Sequence, residues 1–536
     1  MRFSPVTLFS NRSSLAILAW GALALVGHAQ DAAPVAEARP MYIREYRVRG
    51  VKSGVVGSAE VGEAVYPFLG PGQMPADVDR ARAAVEKLYH DKGYQAVSVG
   101  IPVQQIKRGT VILEVSENPV GRLRVKGGQY TSPSQLKGMA PALAEGKVVN
   151  FNEVTKNLVS MNQLAGRTVT PELRPGVEPG TVDIDLKVKD ELPLHGSVEL
   201  NNRYSADTTE LRLNGAISYD NLWQLGHAMG LSFQVAPMNI DDAKVFSGYY
   251  MAPLPNSDGW SLMLQGTKQD SNVSTLGGLA VAGRGEIVGL RALKTLPQGK
   301  DFFQSLSFGF DYKHFDENLT SGASTVQTPI TYYPLTALYT ASLKGKSGKT
   351  DFNGGVTLHL RGLGASADEF DNKRYKSEGS FLYFRGDLSR TQDLPYGLQG
   401  FARVQGQMSS QPLINSEQFA AGGLGTVRGY LESEALGDDA ISATLELRSP
   451  SLLGSGKDDA ENDWRFYVFG DAGFTSIQSP LPGQDPGSSL LSVGLGTRGR
   501  FFDHYNGSLD VGLPLLRRSN GQDRQPLYTF RVWGDF

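Results

Sequence analysis

Residues 194–536 repeat one pattern, segments of about ten residues in which apolar and polar side chains alternate. Successive side chains of a strand point to opposite faces, so each segment has one apolar and one polar face. No long stretch with the 3.6-residue period of a helix interrupts the series. The sixteen segments are 194–205, 209–222, 226–237, 244–253, 259–270, 283–296, 302–316, 329–344, 349–362, 376–391, 397–411, 438–450, 464–475, 488–501, 505–514 and 526–536. The pattern predicts a sixteen-stranded antiparallel transmembrane β-barrel with lipid outside and water inside.

Two segments near the C-terminus illustrate how the side chains sort. Leu445 is expected to point outward and Glu446 into the lumen, and Val468 and Asp471 divide in the same way. An even number of strands places both ends of the barrel on one side of the membrane. The alternative fold is a soluble β-sandwich, which would have shorter strands and a second packed sheet.

The last segment carries aromatic residues on its outward face and ends the printed sequence. The outward set is Tyr528, Phe530, Val532 and Phe536. A terminal aromatic strand ending in Phe resembles the signal by which outer-membrane barrels are inserted. The resemblance implies contact with outer-membrane lipid and with the barrel-assembly machinery.

The N-terminus predicts export. Arg2 and Arg12 precede an apolar run over 15–26, and Gly27-His28-Ala29 fits the small-x-small pattern before a cleavage site. We interpret 1–29 as a signal peptide, because the run is shorter than the roughly 20 residues that a spanning helix needs. An uncleaved anchor is the alternative. The absence of cysteine excludes disulfides and thiolate metal sites.

Two small α+β modules are predicted between the export signal and the barrel. After a short segment over 30–41, residues 42–118 have the order β-α-α-β-β, and residues 119–193 repeat that order. One interpretation is a spacer. The other is a peptide-binding module whose open sheet edge accepts an extended strand through main-chain hydrogen bonds.

Arg428 stands among glycines in a loop over 412–437, within the run Gly422-Gly423-Leu424-Gly425-Thr426-Val427-Arg428-Gly429-Tyr430. The glycines allow the backbone to fold back tightly, and the guanidinium can offer a planar fork to a lumenal carboxylate. Asp471 and Glu446 are the candidate partners. The alternative is an ordinary solvated loop residue.

The motif V-R-G-Y at Val427, Arg428, Gly429 and Tyr430, the G-D-x-G element at Asp471, two modules and sixteen strands resemble the outer-membrane transporters of two-partner secretion. These transporters are of the haemolysin secretion/activation type, and their modules are polypeptide-transport-associated (POTRA) domains. The resemblance implies a bacterial outer-membrane pore that moves a large unfolded exoprotein to the cell surface. It also implies periplasmic modules that capture the exoprotein and an arginine loop that enters the barrel to meet Asp471.

One departure from the resemblance concerns the plug. Related transporters often carry an N-terminal helix that fills the pore, whereas only Gln30 to Met41 separates the expected cleavage site from the first strand. We therefore expect the loop alone to close the pore. Two other functions stay open: an insertase that assembles other barrels, and a plain diffusion porin.

Enzymatic and nucleic-acid functions find little support in the sequence. The G-x-G-x-x-G pattern at 494–499 lies within a predicted strand with no βαβ unit after it. The seven histidines lack the spacing of metal ligands. The net charge of −3 gives no reason to expect a nucleic-acid partner, because phosphate binding needs a clustered basic surface. We expect no catalytic residue, no metal and no cofactor.

Overall fold

The computed structural model describes residues 40–536 apart from 52, 107, 163–165, 256, 258, 275–280, 317, 322–323, 454–461 and 518–523. The expected signal peptide 1–29 and residues 30–39 of the following segment therefore lie outside the described residues, as does the expectation about a plug helix. The chain divides into two compact units, one ending at Pro193 and one running from Leu194 to Phe536.

The first module is built around two helices packed on a short sheet. Its elements are β1 Met41–Ile43, β2 Glu45–Arg49, α1 Ser58–Val65, β3 Gly70–Gln73, α2 Pro75–Asp91, β4 Ser98–Gly100 and β5 Thr110–Ser116. The sheet order is β2-β5-β4, with β2 parallel to β5. Helix α2 buries Val78, Ala81 and Val85, which lie three and four residues apart and so share one face. Gly93 follows the helix with φ +92°, a conformation that stops it.

The second module repeats the arrangement. Its elements are β6 Val120–Lys126, α3 Pro133–Gly138, α4 Phe151–Met161, β7 Arg167–Pro175 and β8 Val182–Asp190. The sheet order is β6-β8-β7, with Ile184 and Leu186 of the central strand fully buried under the helices. The side chain of Asn150 accepts hydrogen bonds at the start of α4 and donates to Lys92 O of the first module at 3.0 Å. The predicted pair of α+β modules is confirmed.

Sixteen antiparallel strands close into the predicted barrel. They are β9 Leu194–Asn201, β10 Arg212–Leu222, β11 His227–Val235, β12 Ala243–Pro253, β13 Trp260–Ser274, β14 Val281–Thr295, β15 Phe302–Asp316, β18 Ile330–Tyr332 with β19 Leu335–Gly345, β20 Gly348–His359, β21 Phe381–Asp393, β22 Gln399–Ser409, β25 Asp439–Arg448, β26 Asp463–Ser476, β27 Gly487–Phe501, β28 Tyr505–Pro514 and β29 Leu527–Asp535. The segments β18 and β19 both pair with β15, so they count as one interrupted strand. A hairpin of β16 Asn318–Ser321 and β17 Ser324–Gln327 forms a separate two-stranded sheet.

The barrel faces sort as the alternation predicts. Leu445 and Val468 expose 65% and 57% of their surface, whereas Glu446 and Asp471 on the other face are buried. Strand β29 pairs with β9, and the backbone of Phe536 exchanges hydrogen bonds with Gly196 at 2.8 and 2.9 Å. The end of the barrel that holds these termini is named the terminal end, and the opposite one the loop end.

Several predicted strand boundaries are wrong: for example, the segment predicted over 194–205 ends as a strand at Asn201, and the one predicted over 259–270 continues to Ser274. The largest difference is in the segment predicted over 376–391, which begins as a strand only at Phe381. The connection before it contains a helix that the sequence did not predict, α5, Ala367–Lys373. Ser366 caps this helix by accepting a hydrogen bond from Glu369 N at 3.3 Å. In the described part of the chain, no helix is both long and apolar enough to cross a membrane.

Candidate functional site

The longest described connection at the loop end joins β22 to β25 and turns back into the lumen; it is named the lumenal loop, 410–438. Its two limbs pair as a hairpin of β23 Phe419–Ala421 and β24 Ala435–Gly437. At the hairpin tip, Gly422 and Gly423 have φ values of +107° and +84°, which favour glycine. The hydroxyl of Thr426 bonds both the N–H and the C=O of Gly422, so the tip has a defined shape.

Arg428 at this tip is buried against lumen-facing carboxylates. Its Nε donates to Asp471 Oδ2 at 2.7 Å and its Nη2 to Asp471 Oδ1 at 2.9 Å, a two-point contact with the fork geometry of a guanidinium. Its Nη1 donates to Glu446 Oε1 at 2.7 Å, and its backbone N–H also donates to Asp471, at 3.0 Å. The structure therefore brings Arg428, Asp471 and Glu446 together.

A third carboxylate and an aromatic ring complete the surroundings of Arg428, and sequence reasoning missed both. Asp510 Oδ1 lies 3.5 Å from Arg428 Nη1 and accepts a hydrogen bond from Tyr467 Oη at 2.8 Å. The guanidinium carbon lies 3.5 Å from the ring centroid of Phe469, a cation–π geometry. The alternation of apolar and polar residues along β28 places Asp510 on the lumenal face, so the sequence could have indicated it as a further partner.

Further arginines balance the excess of negative charge. Arg448 donates to Glu446 Oε2 at 2.7 Å, and Arg498 lies 3.7 Å from the same oxygen. Removing one partner of a buried ion pair costs about 3–5 kcal/mol, because the other charge is left uncompensated. These ion pairs therefore fix the tip of the loop against the barrel wall.

Two glycines of the barrel wall make room for the residues on either side of Arg428. A Cβ added to Gly473 would lie 2.7 Å from Val427 Cγ2, and one added to Gly512 would lie 2.5 Å from Gly429 N. Both distances are shorter than side chains tolerate. Val427 and Gly429 therefore pack where the wall lacks side chains, which accounts for the second glycine of G-D-x-G, Gly473.

Tyr430 holds the tip against β27 and against the segment that follows β28. Its hydroxyl lies 3.1 Å from both Leu491 O and Leu516 O, and it lies 3.3 Å from the N–H groups of the same two residues. The ring itself is buried. Each residue of the motif thus has a distinct contact: Val427 fills a glycine gap, Arg428 binds carboxylates, Gly429 passes close to backbone, and Tyr430 bonds the wall.

The tip also reaches the residues that follow the first barrel strand, a contact that sequence reasoning missed. Arg203 Nε donates to Glu432 Oε1 at 2.7 Å, and Glu432 N donates to Tyr204 O at 3.0 Å. Beside them, the amide of Asn202 bonds Tyr528 O and Phe530 N of the last strand at 2.7 Å each.

The proposed insertion residues lie where the alternation puts them, on the outer face of β29 and at its end. Tyr528, Val532 and Phe536 are exposed and Phe530 is partly buried. The ring of Phe536 covers Gly196, whose added Cβ would lie 2.1 Å from it. Their role in insertion stays a prediction.

Outer-membrane transporters are among the known proteins that resemble this chain in sequence and structure. Residues 180–499 match the family described as haemolysin secretion/activation protein ShlB/FhaC/HecB, and residues 41–118 match the POTRA domain of ShlB type. Outer membrane transporter CdiB of Dickeya dadantii is 22% identical over 66% of this chain, which covers 63% of that relative's length. Heme/hemopexin transporter protein HuxB of Haemophilus influenzae is 21% identical over 88% of this chain and 83% of its own. The solved structure of CdiB from Escherichia coli has the same fold, with a TM-score of 0.61, 20% identity, and coverage of 95% of this chain and 93% of that one.

Proposed function

Because this chain belongs to the ShlB/FhaC/HecB family of haemolysin secretion/activation proteins, we propose that it is the outer-membrane pore of a two-partner secretion system. Family members lie in the outer membrane with their POTRA domains in the periplasm. The terminal end of the barrel is then periplasmic and the loop end extracellular. The substrate we propose is one large unfolded exoprotein, which passes through the lumen to the cell surface.

The observation that carries the proposal is the lumenal loop bound inside the barrel through Arg428. A loop that only connected two strands would gain nothing from a buried arginine among three carboxylates, since desolvating those charges opposes folding. During transport the loop must leave the lumen or rearrange around the passing exoprotein. Polar contacts suit such a loop, because water can replace them when they break. We propose that the Arg428 contact with Asp471 and Glu446 sets the position of the loop during translocation.

The modules support a substrate-binding role. Strand β7 of the second module is nine residues long and, among the described strands, pairs with β8 alone. An extended segment of the exoprotein could add to this edge through main-chain hydrogen bonds, which do not depend on its side chains. We propose that this edge receives the exoprotein as it arrives in the periplasm.

An export assay with Arg428→Ala tests the proposal. The host would carry the chain together with its exoprotein, for which a large exported protein encoded in an adjacent reading frame is the candidate. The exoprotein would be measured in the medium and on the cell surface. We expect the variant barrel to be inserted normally, with export reduced by at least about tenfold, as for a buried contact worth more than 1.4 kcal/mol. Arg361→Ala, an exposed arginine in the α5 connection, is the matched control. Normal export by the Arg428 variant would contradict the mechanism.

A further inference from the structure

Another buried charge on the lumenal loop, Glu417, contacts barrel strands other than those that hold Arg428. Glu417, on the limb before β23, exposes 1% of its side chain. Its Oε1 accepts from Lys313 Nζ at 2.5 Å and from Tyr332 Oη at 2.6 Å, and its Oε2 accepts from Tyr383 Oη at 2.8 Å. Three donors from three different barrel strands therefore converge on one loop carboxylate.

The backbone at the same position is held as well. The amide of Gln407 donates to Glu417 O at 3.1 Å, and Arg385 Nη2 lies 3.4 Å from that carbonyl oxygen. Glu417 thus contacts the wall with its side chain and its main chain. A loop residue that served only as a connection would leave its carboxylate in water, where it is fully solvated.

Apolar side chains surround this contact at the loop end of the barrel. They come from strand ends, from the α5 connection and from the lumenal loop, and are named the mouth cluster: Phe315, Ile330, Tyr332, Ala365, Phe370, Phe381, Tyr383, Leu413 and Ile414. The rings of Tyr332 and Phe370 meet edge to face with centroids 5.7 Å apart. Residues 410–418 of the lumenal loop, which precede β23, are named the outer limb. The mouth cluster packs the outer limb and helix α5 against the barrel wall.

The two buried charges hold the loop on different parts of the wall. Glu417 contacts β15, β18 and β21, the seventh, eighth and tenth strands of the barrel. Arg428 contacts β25, β26 and β28, the twelfth, thirteenth and fifteenth. Breaking the Arg428 contact would therefore leave the outer limb attached to the other group of strands, at the loop end of the barrel.

We propose that Glu417 is a positioning residue that holds the outer limb of the lumenal loop and the mouth cluster in place, so that the exit of the pore opens only when its contact with Lys313 breaks. This inference rests on the proposed transport function. The inference goes beyond that function because it assigns control of the pore exit to the contact between Glu417 and Lys313. A passing chain would then have to displace the Glu417 contact at the mouth as well as the Arg428 contact deeper in the lumen.

Thiol labelling of a single cysteine tests the proposal without an exoprotein. The chain has no native cysteine, so Ile414→Cys, at a mouth-cluster position that is 2% exposed, reports opening to a membrane-impermeant maleimide added to whole cells. The comparison adds Glu417→Gln, which keeps the size of the side chain and removes its charge. The matched control is Glu378→Gln, an exposed glutamate paired with Arg361 at the same end of the barrel.

We expect Glu417→Gln to raise the labelling rate at position 414 by roughly tenfold or more, as for loss of a buried ion-pair partner, and Glu378→Gln to leave it unchanged. The purified Glu417 variant in planar bilayers should also show more frequent open events. Combining it with Lys313→Met removes the uncompensated charge, so heat resistance of the barrel should return while labelling stays fast. A purely structural role predicts that both readouts recover together, and that result would overturn the proposal.

The outcomes also separate this inference from the proposed function. If labelling and conductance are unchanged in the Glu417 variant while export is lost in Arg428→Ala, Glu417 does not control the exit. The proposed transport function would still hold. Faster labelling in the Glu417 variant, with export unaffected by Arg428→Ala, would support control of the exit and contradict the transport mechanism.

Discussion

At the scale of single residues, the contact between Arg428 and the barrel wall depends on the glycines of the wall as much as on the charges of its carboxylates. Arg428 reaches Asp471 because Val427 and Gly429, its neighbours, lie against Gly473 and Gly512. A guanidinium must approach a carboxylate closely and in its plane to donate two hydrogen bonds. Side chains at positions 473 and 512 would hold the neighbours of Arg428 away from the wall and prevent that approach. The motif and the wall glycines are therefore one unit, although they are far apart in sequence.

Adding one methyl group should disturb this unit. We expect Gly512→Ala to displace the tip and weaken export, because the new Cβ would lie 2.5 Å from Gly429 N and overpacking typically costs about 1–3 kcal/mol. Gly470→Ala is the matched control, since its added Cβ meets nothing within 4 Å. Export and protease accessibility of the loop measure the effect. Equal export by the two variants would argue against close packing of the tip.

At the scale of elements, short periodicities decided most of the fold. The alternation of each strand specifies which face meets lipid, and the period of α2 specifies its buried face, because both depend only on neighbouring residues. Helix α5 escaped notice because a seven-residue helix carries too little periodicity to separate it from a strand. Its place is decided by packing of Phe370 within the mouth cluster.

The end of β8 shows an element contact that depends on charge and pH. The Asp190 carboxylate accepts from Gln129 N at 2.8 Å and from Tyr130 N at 2.9 Å, joining β8 to the turn before α3. Burial alone would raise the pKa of Asp190, but the N–H donors outweigh it and hold the pKa below its ordinary value. The contact therefore contributes stability above the unfolded pKa of about 3.9 and loses it as pH falls through the folded value.

Replacing Asp190 by Asn should weaken this turn. One of the two carboxylate oxygens becomes an NH₂ group, which is a donor and cannot accept the hydrogen bond from the backbone N–H that it faces. We expect the amides of residues 127–131 in the full chain to exchange roughly five- to tenfold faster at pH 7, as for a lost hydrogen bond of about 1 kcal/mol. Hydrogen exchange measured by mass spectrometry and corrected for intrinsic rate would show it. Wild-type protection should stay constant from pH 7 to 5 and fall at lower pH; equal protection in both proteins at pH 7 would contradict the assignment.

At the scale of the whole molecule, the resemblance to two-partner secretion transporters that the motifs suggested is confirmed by the family match. The barrel alone would also suit a porin, and the modules alone would suit other POTRA-bearing proteins. A barrel whose own loop folds into the lumen, joined in one chain to two modules, fits the proposed transport of a polypeptide that the modules bind first.

Deleting residues 42–190 separates these functions. We expect the remaining barrel to insert, because its strands and aromatic end are intact, and export to fall to background, because the exoprotein would no longer be captured. Heat-modifiable mobility of the outer-membrane fraction reports insertion, and exoprotein in the medium reports export. A porin would conduct equally well with and without the modules, and undiminished export would contradict a capture role for them.

The sequence by itself determined the sixteen strands, the sorting of their faces and the two modules, since these follow from local alternation and helical period. It also nominated Arg428, Asp471 and Glu446. Only the tertiary structure decided that Asp510, 82 residues from Arg428, joins them and that Glu417 meets Lys313 across 104 residues. Such pairs depend on the register and closure of the barrel, which bring distant strands to one height of the lumen, and no local pattern in the chain encodes that height.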